Sequence, residues 1–174
     1  MPQKSVFMRV VSGKMVGDIS IIGVNPENLE AFDYKIEEGR LLLPSDKEAI
    51  LFGNQVVNQF YNSRLRDPWA NASMNPPRVD LITDRLILTA DMEYGQRRRS
   101  NTDSDYKPPK PHKAKGVGIL TMSNDEKDYN AYMNLTVLEK IIAEDQKGNR
   151  DSRPQPGINS QNQYNTIKVK VADI

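Results

Sequence analysis

Two runs rich in β-forming residues, VFMRVVS at 6–12 and GDISIIGV at 17–24, stand close together with Ser12-Gly13-Lys14 between them. Loose alternation of apolar and polar positions is the mark of a strand, and a glycine-bearing gap supplies the turn. The pair reads as a β-hairpin and commits the start of the chain to a sheet.

The rest of the chain adds short elements. Pro26-Glu27-Asn28-Leu29-Glu30 opens a short helix, because proline suits the first helical position and acids suit the first turn. Leu29, Phe32 and Ile36 share one face of it, and Gly39 ends it. EAILF at 48–52 is a short buried strand. After Gly53-Asn54, the spacing of Val56, Val57, Phe60 and Tyr61 predicts a helix. Residues 62–78 are turn-rich, with Asp67-Pro68 and Asn75-Pro76-Pro77. A strand follows at 84–89. Residues 95–115 hold both charge signs, three prolines and almost no aliphatic residue, which predicts a long flexible loop. Strands at 116–122 and 129–133 flank a turn at 123–128. Thr136 caps a helix carrying Val137, Leu138, Ile141 and Ile142, which ends near Gly148. Another loop covers 149–163. Over 165–171, Ile167, Val169 and Val171 alternate inward with Lys168 and Lys170 outward, a half-exposed strand. The expected fold class is α+β: a mixed sheet with short helices on one side and long polar loops. Residues 1–174 form one domain fragment, and 165–174 is a strand leading toward a second lobe or a membrane helix.

Composition narrows the function. With 24 basic and 23 acidic residues the net charge is +1, which speaks against a dedicated nucleic-acid binder. The chain has no cysteine, so disulfides, thiol catalysis and thiolate metal sites are excluded together. That absence also suits an oxidising compartment. The most apolar runs, Ile19–Val24 and Ile50–Phe52, are of strand length, far short of the roughly 18 residues a membrane helix needs. The first residues contain no signal-peptide apolar region.

The usual signatures of chemistry are missing. The single histidine, His112, falls in the expected cationic loop, which suits neither a general base nor its orientation. There is no GxSxG elbow and no phosphate-binding glycine loop. Asn101-Thr102-Asp103-Ser104-Asp105 spaces oxygen ligands like a calcium loop, without its glycine or distal glutamate. Paired acids at Asp91 and Glu93, or Asp80 and Asp84, would serve hydrolysis only if they converged with one raised pKa. Arg97-Arg98-Arg99 is the one basic cluster and could meet lipid headgroups or an acidic partner. Trp69 is an interface anchor or a core plug beneath a loop. Asn71-Ala72-Ser73 and Asn134-Leu135-Thr136 match the short glycosylation pattern.

One ordered set of motifs is more specific. Ile22-Gly23-Val24-Asn25-Pro26-Glu27 is followed by Ile36-Glu37-Glu38-Gly39-Arg40, then by Ser45-Asp46-Lys47-Glu48-Ala49-Ile50-Leu51-Phe52-Gly53. This order resembles the extracytoplasmic (periplasmic core) domain of MacB/FtsX-type ABC-transporter permeases. The family carries a glycine-bearing strand, a short helix, a Gly-Arg turn, an acidic dipeptide, and an apolar strand ending in glycine. Gly116–Met122, Tyr129–Leu135 and Tyr164–Val171 are similar to its later strands. The resemblance covers most of 19–171 apart from the loops. Two features depart from it: the insert at 95–115 is long, and the chain matches mainly the inserted lobe, leaving the porter-like lobe unaccounted for.

The resemblance implies a non-catalytic domain on the outer side of a bacterial cell membrane, without a cofactor of its own. A separate or fused cytoplasmic ATPase would use ATP, and the membrane helices would pass the motion to this domain. A peptide or lipoprotein substrate, or an adaptor protein, would meet the exposed loops at 62–78 and 95–115, with Trp69 and Arg97–Arg99 as contacts. Such permeases work as pairs. Gly23, Gly39, Arg40 and Gly53 would be structural: Gly39 a helix C-cap followed by a surface arginine, Gly23 and Gly53 strand ends. A secreted adaptor or scaffold domain is the alternative, and an accessory domain of a secreted hydrolase a further one.

Overall fold

The computed structural model describes residues 2–65, 79–95, 108–148 and 166–169. Strands β1 (Pro2–Ser12) and β2 (Met15–Val24) form the hairpin, in unbroken antiparallel register from Lys4↔Gly23 to Ser12↔Met15. Its two-residue turn places Gly13 at φ 58°, the positive φ that such turns require at their first central position. The strands run longer than the alternation alone suggests, because β1 extends back to pair with β9 (Thr166–Ile167).

The remaining strands are β3 (Ile36–Gly39), β4 (Ala49–Phe52), β5 (Phe60–Asn62), β6 (Leu86–Thr89), β7 (His112–Leu120) and β8 (Ala131–Asn134). Helix α1 is Leu135–Gly148. Six strands pair in a closed circuit. β1 meets β2 antiparallel, β2 meets β8 parallel, β8 meets β4 antiparallel, β4 meets β7 parallel, and β7 meets β6 antiparallel. β6 returns antiparallel to β1. Closure leaves these six without free edges. β3, β5 and β9 extend the sheet from β7, β2 and β1.

Alternate residues of the circuit form one buried cluster, including Met8, Val10, Ile19, Ile21, Ile50, Phe52, Leu88 and Met133, and α1 lays Leu138 and Ile141 on it. A second cluster joins Val24, Leu29, Tyr34, Ala49, Leu51, Leu120 and Tyr132. β4 contributes Ile50 and Phe52 to the first and Ala49 and Leu51 to the second, so both of its faces are buried. That explains why AILF is apolar throughout, without alternation. Complete burial of Ile50, Leu51 and Phe52 stabilises by about 1.5–3 kcal/mol per side chain.

The α+β expectation holds, but the helices are fewer. Residues 26–32 form only two 3-10 turns, Pro26–Asn28 and Glu30–Phe32, and Asp33 in the left-handed region (φ 60°) ends them. Ile36 is in β3, not on a helix face. Val56–Gln59 is likewise one 3-10 turn. Phe60 and Tyr61 leave it for β5, where Tyr61 pairs with Val16. Four apolar residues in six positions satisfy a helical spacing and a turn followed by a strand equally well, and pairing with the hairpin decides the outcome. The expected 95–115 loop is shorter, since 112–115 belong to β7. Helix α1 is capped by Asn134 rather than Thr136: the Asn134 side chain accepts from the Thr136 N–H at 3.1 Å and its hydroxyl at 2.6 Å.

The final strand is inverted. Ile167 and Val169 are 69% and 76% exposed, whereas Lys168 turns inward and donates to Glu126 at 2.9 Å. Over the described residues 167–169 the apolar side chains therefore face outward, opposite to the expected face. Val171 and Lys170 lie outside the described residues.

Candidate functional site

The motif residues converge around β7. Gly39 ends β3 with φ 80°, so it closes a strand and is not a helix C-cap. A Cβ on Gly39 would strike the Val117 carbonyl, and one on Gly118 would strike the Arg40 carbonyl. The two glycines therefore let β3 and β7 approach backbone to backbone. Arg40 then grips Asp46 with both terminal nitrogens, at 2.8 and 2.9 Å. Asp46 also accepts the Leu43 N–H at 2.9 Å, which shapes the path into β4. Its carboxyl is held below the ordinary range, first by the bonds from Arg40. Gly23 lies under Leu135 and Leu138 of α1, and Gly53 under the Lys127–Asp128 backbone. Both are contact points between elements.

The opposite corner is built on a buried guanidinium. Arg9 is 2% exposed and bonds both Asp18 oxygens, at 2.7 and 2.9 Å. It also donates to the Tyr61 hydroxyl at 3.2 Å and the Tyr94 carbonyl at 3.3 Å. Nearby, the Ser63 hydroxyl donates to the Gly95 carbonyl at 3.0 Å. Residues 61–65 and 91–95, the described residues before 66 and 96, therefore meet at one corner of the sheet. Trp69, Arg97, Arg98 and Arg99 lie outside the described residues, as do Asn71 and the Asn101–Asp105 run.

The candidate acids do not form a reacting pair. Asp80 accepts the Ile82 and Thr83 N–H groups at 3.0 and 2.9 Å. Asp84 accepts the Ser12 hydroxyl at 2.8 Å, and Asp91 accepts the Glu93 N–H at 3.0 Å. The Asp80 and Asp91 oxygens build turns, Asp84 ties its segment to the hairpin, and Asp80 has a lowered pKa, chiefly through Thr83, the opposite of what a general acid needs. Asn134, in the second glycosylation match, is buried and spent on its cap. No group of three or more metal-binding side chains occurs among the described residues.

His112 is not in a loop. It opens β7, and its Nε2 lies 3.3 Å from Asp145 on α1. A cleft of about 320 Å³ sits at the other end of β7, lined by Asp33–Lys35, Leu120–Ser123 and Lys127. The Lys127 ammonium stands 5.1 Å over the Tyr34 ring and donates to the Phe32 carbonyl at 3.4 Å. Tyr34 meets Tyr132 edge to face at 5.1 Å, and burial raises its phenol pKa. These contacts hold the cleft wall together. Asp128 is buried beside it, where it accepts the Ser123 and Asn124 N–H groups at 3.0 and 2.7 Å.

Sequence reasoning missed the Arg9–Asp18 pair, although counting out from the turn puts residues 9 and 18 opposite each other. It also missed the capping role of Asn134, which a short polar residue directly before an apolar helical run could have signalled.

Among the described residues the architecture is thus a closed, mixed β-structure with one α-helix. The structural likenesses are to domains held outside the membrane. Over 82% of this chain the fold matches the extracellular domain of the ABC-type transporter YknZ from Gram-positive bacteria, with a TM-score of 0.50 and 11% identity. It is also similar to the periplasmic region of MacB from Actinobacillus actinomycetemcomitans, with a TM-score of 0.46, 13% identity and the same 82% share. The chain spans 57% of the first of these and 50% of the second. No family model and no curated protein sequence matches it. No helix among the described residues is long and apolar enough to cross a membrane.

Proposed function

We propose that this chain is a non-catalytic extracytoplasmic domain of an ABC-transporter permease of the MacB/FtsX type. The observation that carries this reading is the match of its fold to the YknZ extracellular domain over 82% of the chain. The order of motifs around Gly23, Gly39-Arg40 and Gly53 supports it independently. The spent acids around Asp80, Asp84 and Asp91 favour it over the hydrolase reading.

In this proposal ATP hydrolysis by a cytoplasmic ATPase moves the membrane helices, and the closed sheet carries that motion outward as a rigid body. The domain itself breaks no bond and uses no cofactor. The loops expected at 62–78 and 95–115, less residues 112–115 of β7, contact a peptide-like substrate, a lipoprotein or an adaptor, with Trp69 and Arg97–Arg99 as contacts. The shared corner of their stems, pinned by Arg9 and by Ser63 on Gly95, supports a single contact surface. The chain beyond β9 leads, in this reading, toward a second lobe or a membrane helix.

The test is co-purification. The full-length parent protein, extracted from membranes in mild detergent and captured by a tag, should bring down an ATPase subunit, or should itself hydrolyse ATP if the two are fused. A parent protein recovered from the soluble secreted fraction, with neither, would overturn the reading in favour of a secreted adaptor.

A further inference from the structure

Strand β7 opens with cations on one face. Lys113 and Lys115 are exposed, whereas Ala114 and Gly116 are buried, so both lysines stand on the outer face of the closed sheet. Lys113 is the register partner of Ile87 on β6, and the same register continued by one residue sets the exposed Arg85 opposite Lys115. On the other flank Lys115 pairs with Ala49 of β4, and the exposed Lys47 lies just before that strand.

The neighbouring acids do not neutralise this face. Asp84 is engaged by the Ser12 hydroxyl. Glu48 meets Lys115 through its backbone carbonyl, which accepts the Lys115 N–H at 2.8 Å. Asp145 of α1 reaches β7 through His112, whose side chain alternates to the other face. Among the described residues no ion pair joins Lys47, Arg85, Lys113 or Lys115 to an acid. Like charges set opposite each other destabilise a sheet. The whole chain carries only +1, so a basic composition does not explain the cluster. A local rule broken without internal compensation points to a functional surface.

Spacing and position say what fits it. Lys113 and Lys115 stand roughly 7 Å apart along the strand, and an extended peptide repeats its side chains on one face at the same interval. Lys113, Ile87 and Val11 form one cross-strand row near the hairpin turn. Tyr61 reaches the same end through its pairing with Val16. Strand β9 pairs with Pro2 and Gln3 at the other end of β1, roughly 27 Å away at about 3.4 Å per residue. In the permease reading the chain leaves β9 toward the membrane, so the cations face away from it. Attraction to anionic headgroups fades within a Debye length of about 8 Å, which favours a protein over a lipid surface.

We propose that the outer face of β6 and β7 around Arg85, Lys113 and Lys115 docks an extended acidic segment of a partner protein. The choice of protein over lipid rests on the permease reading; the charge pattern does not.

Fluorescence anisotropy on this chain tests it, with a labelled peptide of alternating glutamate and threonine as the probe. The double variant Lys113→Glu with Lys115→Glu should weaken binding about 10-fold, since two surface attractions become repulsions. Lys35→Glu, at the far end of β7, should change it less than about 2-fold. Lys115→Glu alone should melt no lower than the parent, because it removes a like charge opposite Arg85, so weaker binding is not a folding defect. A peptide that fails to bind, or that binds the parent and the double variant alike, would overturn the proposal. Phosphatidylglycerol vesicles that need Lys113 and Lys115 while the peptide does not bind would assign the face to headgroups instead. A failed co-purification leaves this binding result standing, so the two claims fall separately.

Discussion

Arg9 and Asp18 are direct cross-strand partners in the β1–β2 hairpin, and they are joined by two bonds of 2.7 and 2.9 Å. Arg9 is buried, while the Asp18 side chain keeps 27% of its exposure. Truncating one member of a buried pair strands the other, whereas a partly exposed carboxylate recovers some hydration. Arg9→Ala is expected to lose about 2–4 kcal/mol on that basis. Urea unfolding followed by circular dichroism measures it. A loss under about 0.5 kcal/mol, the scale of a surface pair, would show that the network contributes little.

Glycines separate conformational need from packing need. A Cβ at Gly13 meets nothing within 4 Å, so Gly13→Ala suffers only from φ 58°, about 1–2 kcal/mol. A Cβ at Gly116 would overlap the Leu81 carbonyl, which is backbone and cannot step aside. Gly116→Ala is expected to cost more than about 3 kcal/mol, beyond ordinary overpacking. Thermal unfolding of both variants should rank them in that order; the reverse ranking contradicts the packing of Leu81 on β7.

Tyr34 buries its hydroxyl with no partner at good hydrogen-bond geometry among the described residues, although the Gln3 and Tyr132 side chains act on it. Its ring keeps the Lys127 and Tyr132 contacts without that oxygen. Tyr34→Phe should therefore raise stability by about 1 kcal/mol, the lower range for an unsatisfied buried group. A clear loss of stability would mean that the hydroxyl is satisfied after all, through Gln3, Tyr132 or bound water.

The Arg40–Asp46 pair has a pH signature. Asp46 has its carboxyl lowered from 3.8, first by Arg40 and then, among the favourable causes, by the Leu43 N–H. A lowered acid contributes stability that is present above its unfolded pKa and lost as pH falls through the folded one. Asp46→Asn should be less stable than the parent at pH 6, and its stability should decline less steeply below pH 4. Denaturant midpoints from pH 2 to 6 would show this, and parallel curves would refute it.

Much of the sheet was legible because strand signals here are local. The hairpin, β4, β6 and the core of β7 rest on short apolar runs beside turn residues. Three things were not legible. Residues 26–32 and 56–61 carry helix-like spacing over too few residues for periodicity to distinguish a turn from a helix. His112 looked solvated because its neighbours are proline and lysine, yet pairing with Leu88 extends β7 back to it. Ile167 and Val169 face outward while Lys168 bonds Glu126, and which face of a half-exposed strand is covered depends on its pairing with β1, which no local pattern encodes.

The most direct test of the central claim is sidedness. Lys14, exposed in the hairpin turn, can be replaced by cysteine in a full-length parent protein otherwise cleared of thiols, since this chain has none of its own. Intact cells, or spheroplasts where an outer membrane intervenes, are treated with a membrane-impermeant maleimide, and carbonate-washed membranes are then analysed. The expected result is full labelling of Lys14→Cys in protein that stays with the membrane. Labelling only after lysis would place the domain in the cytoplasm and contradict the account.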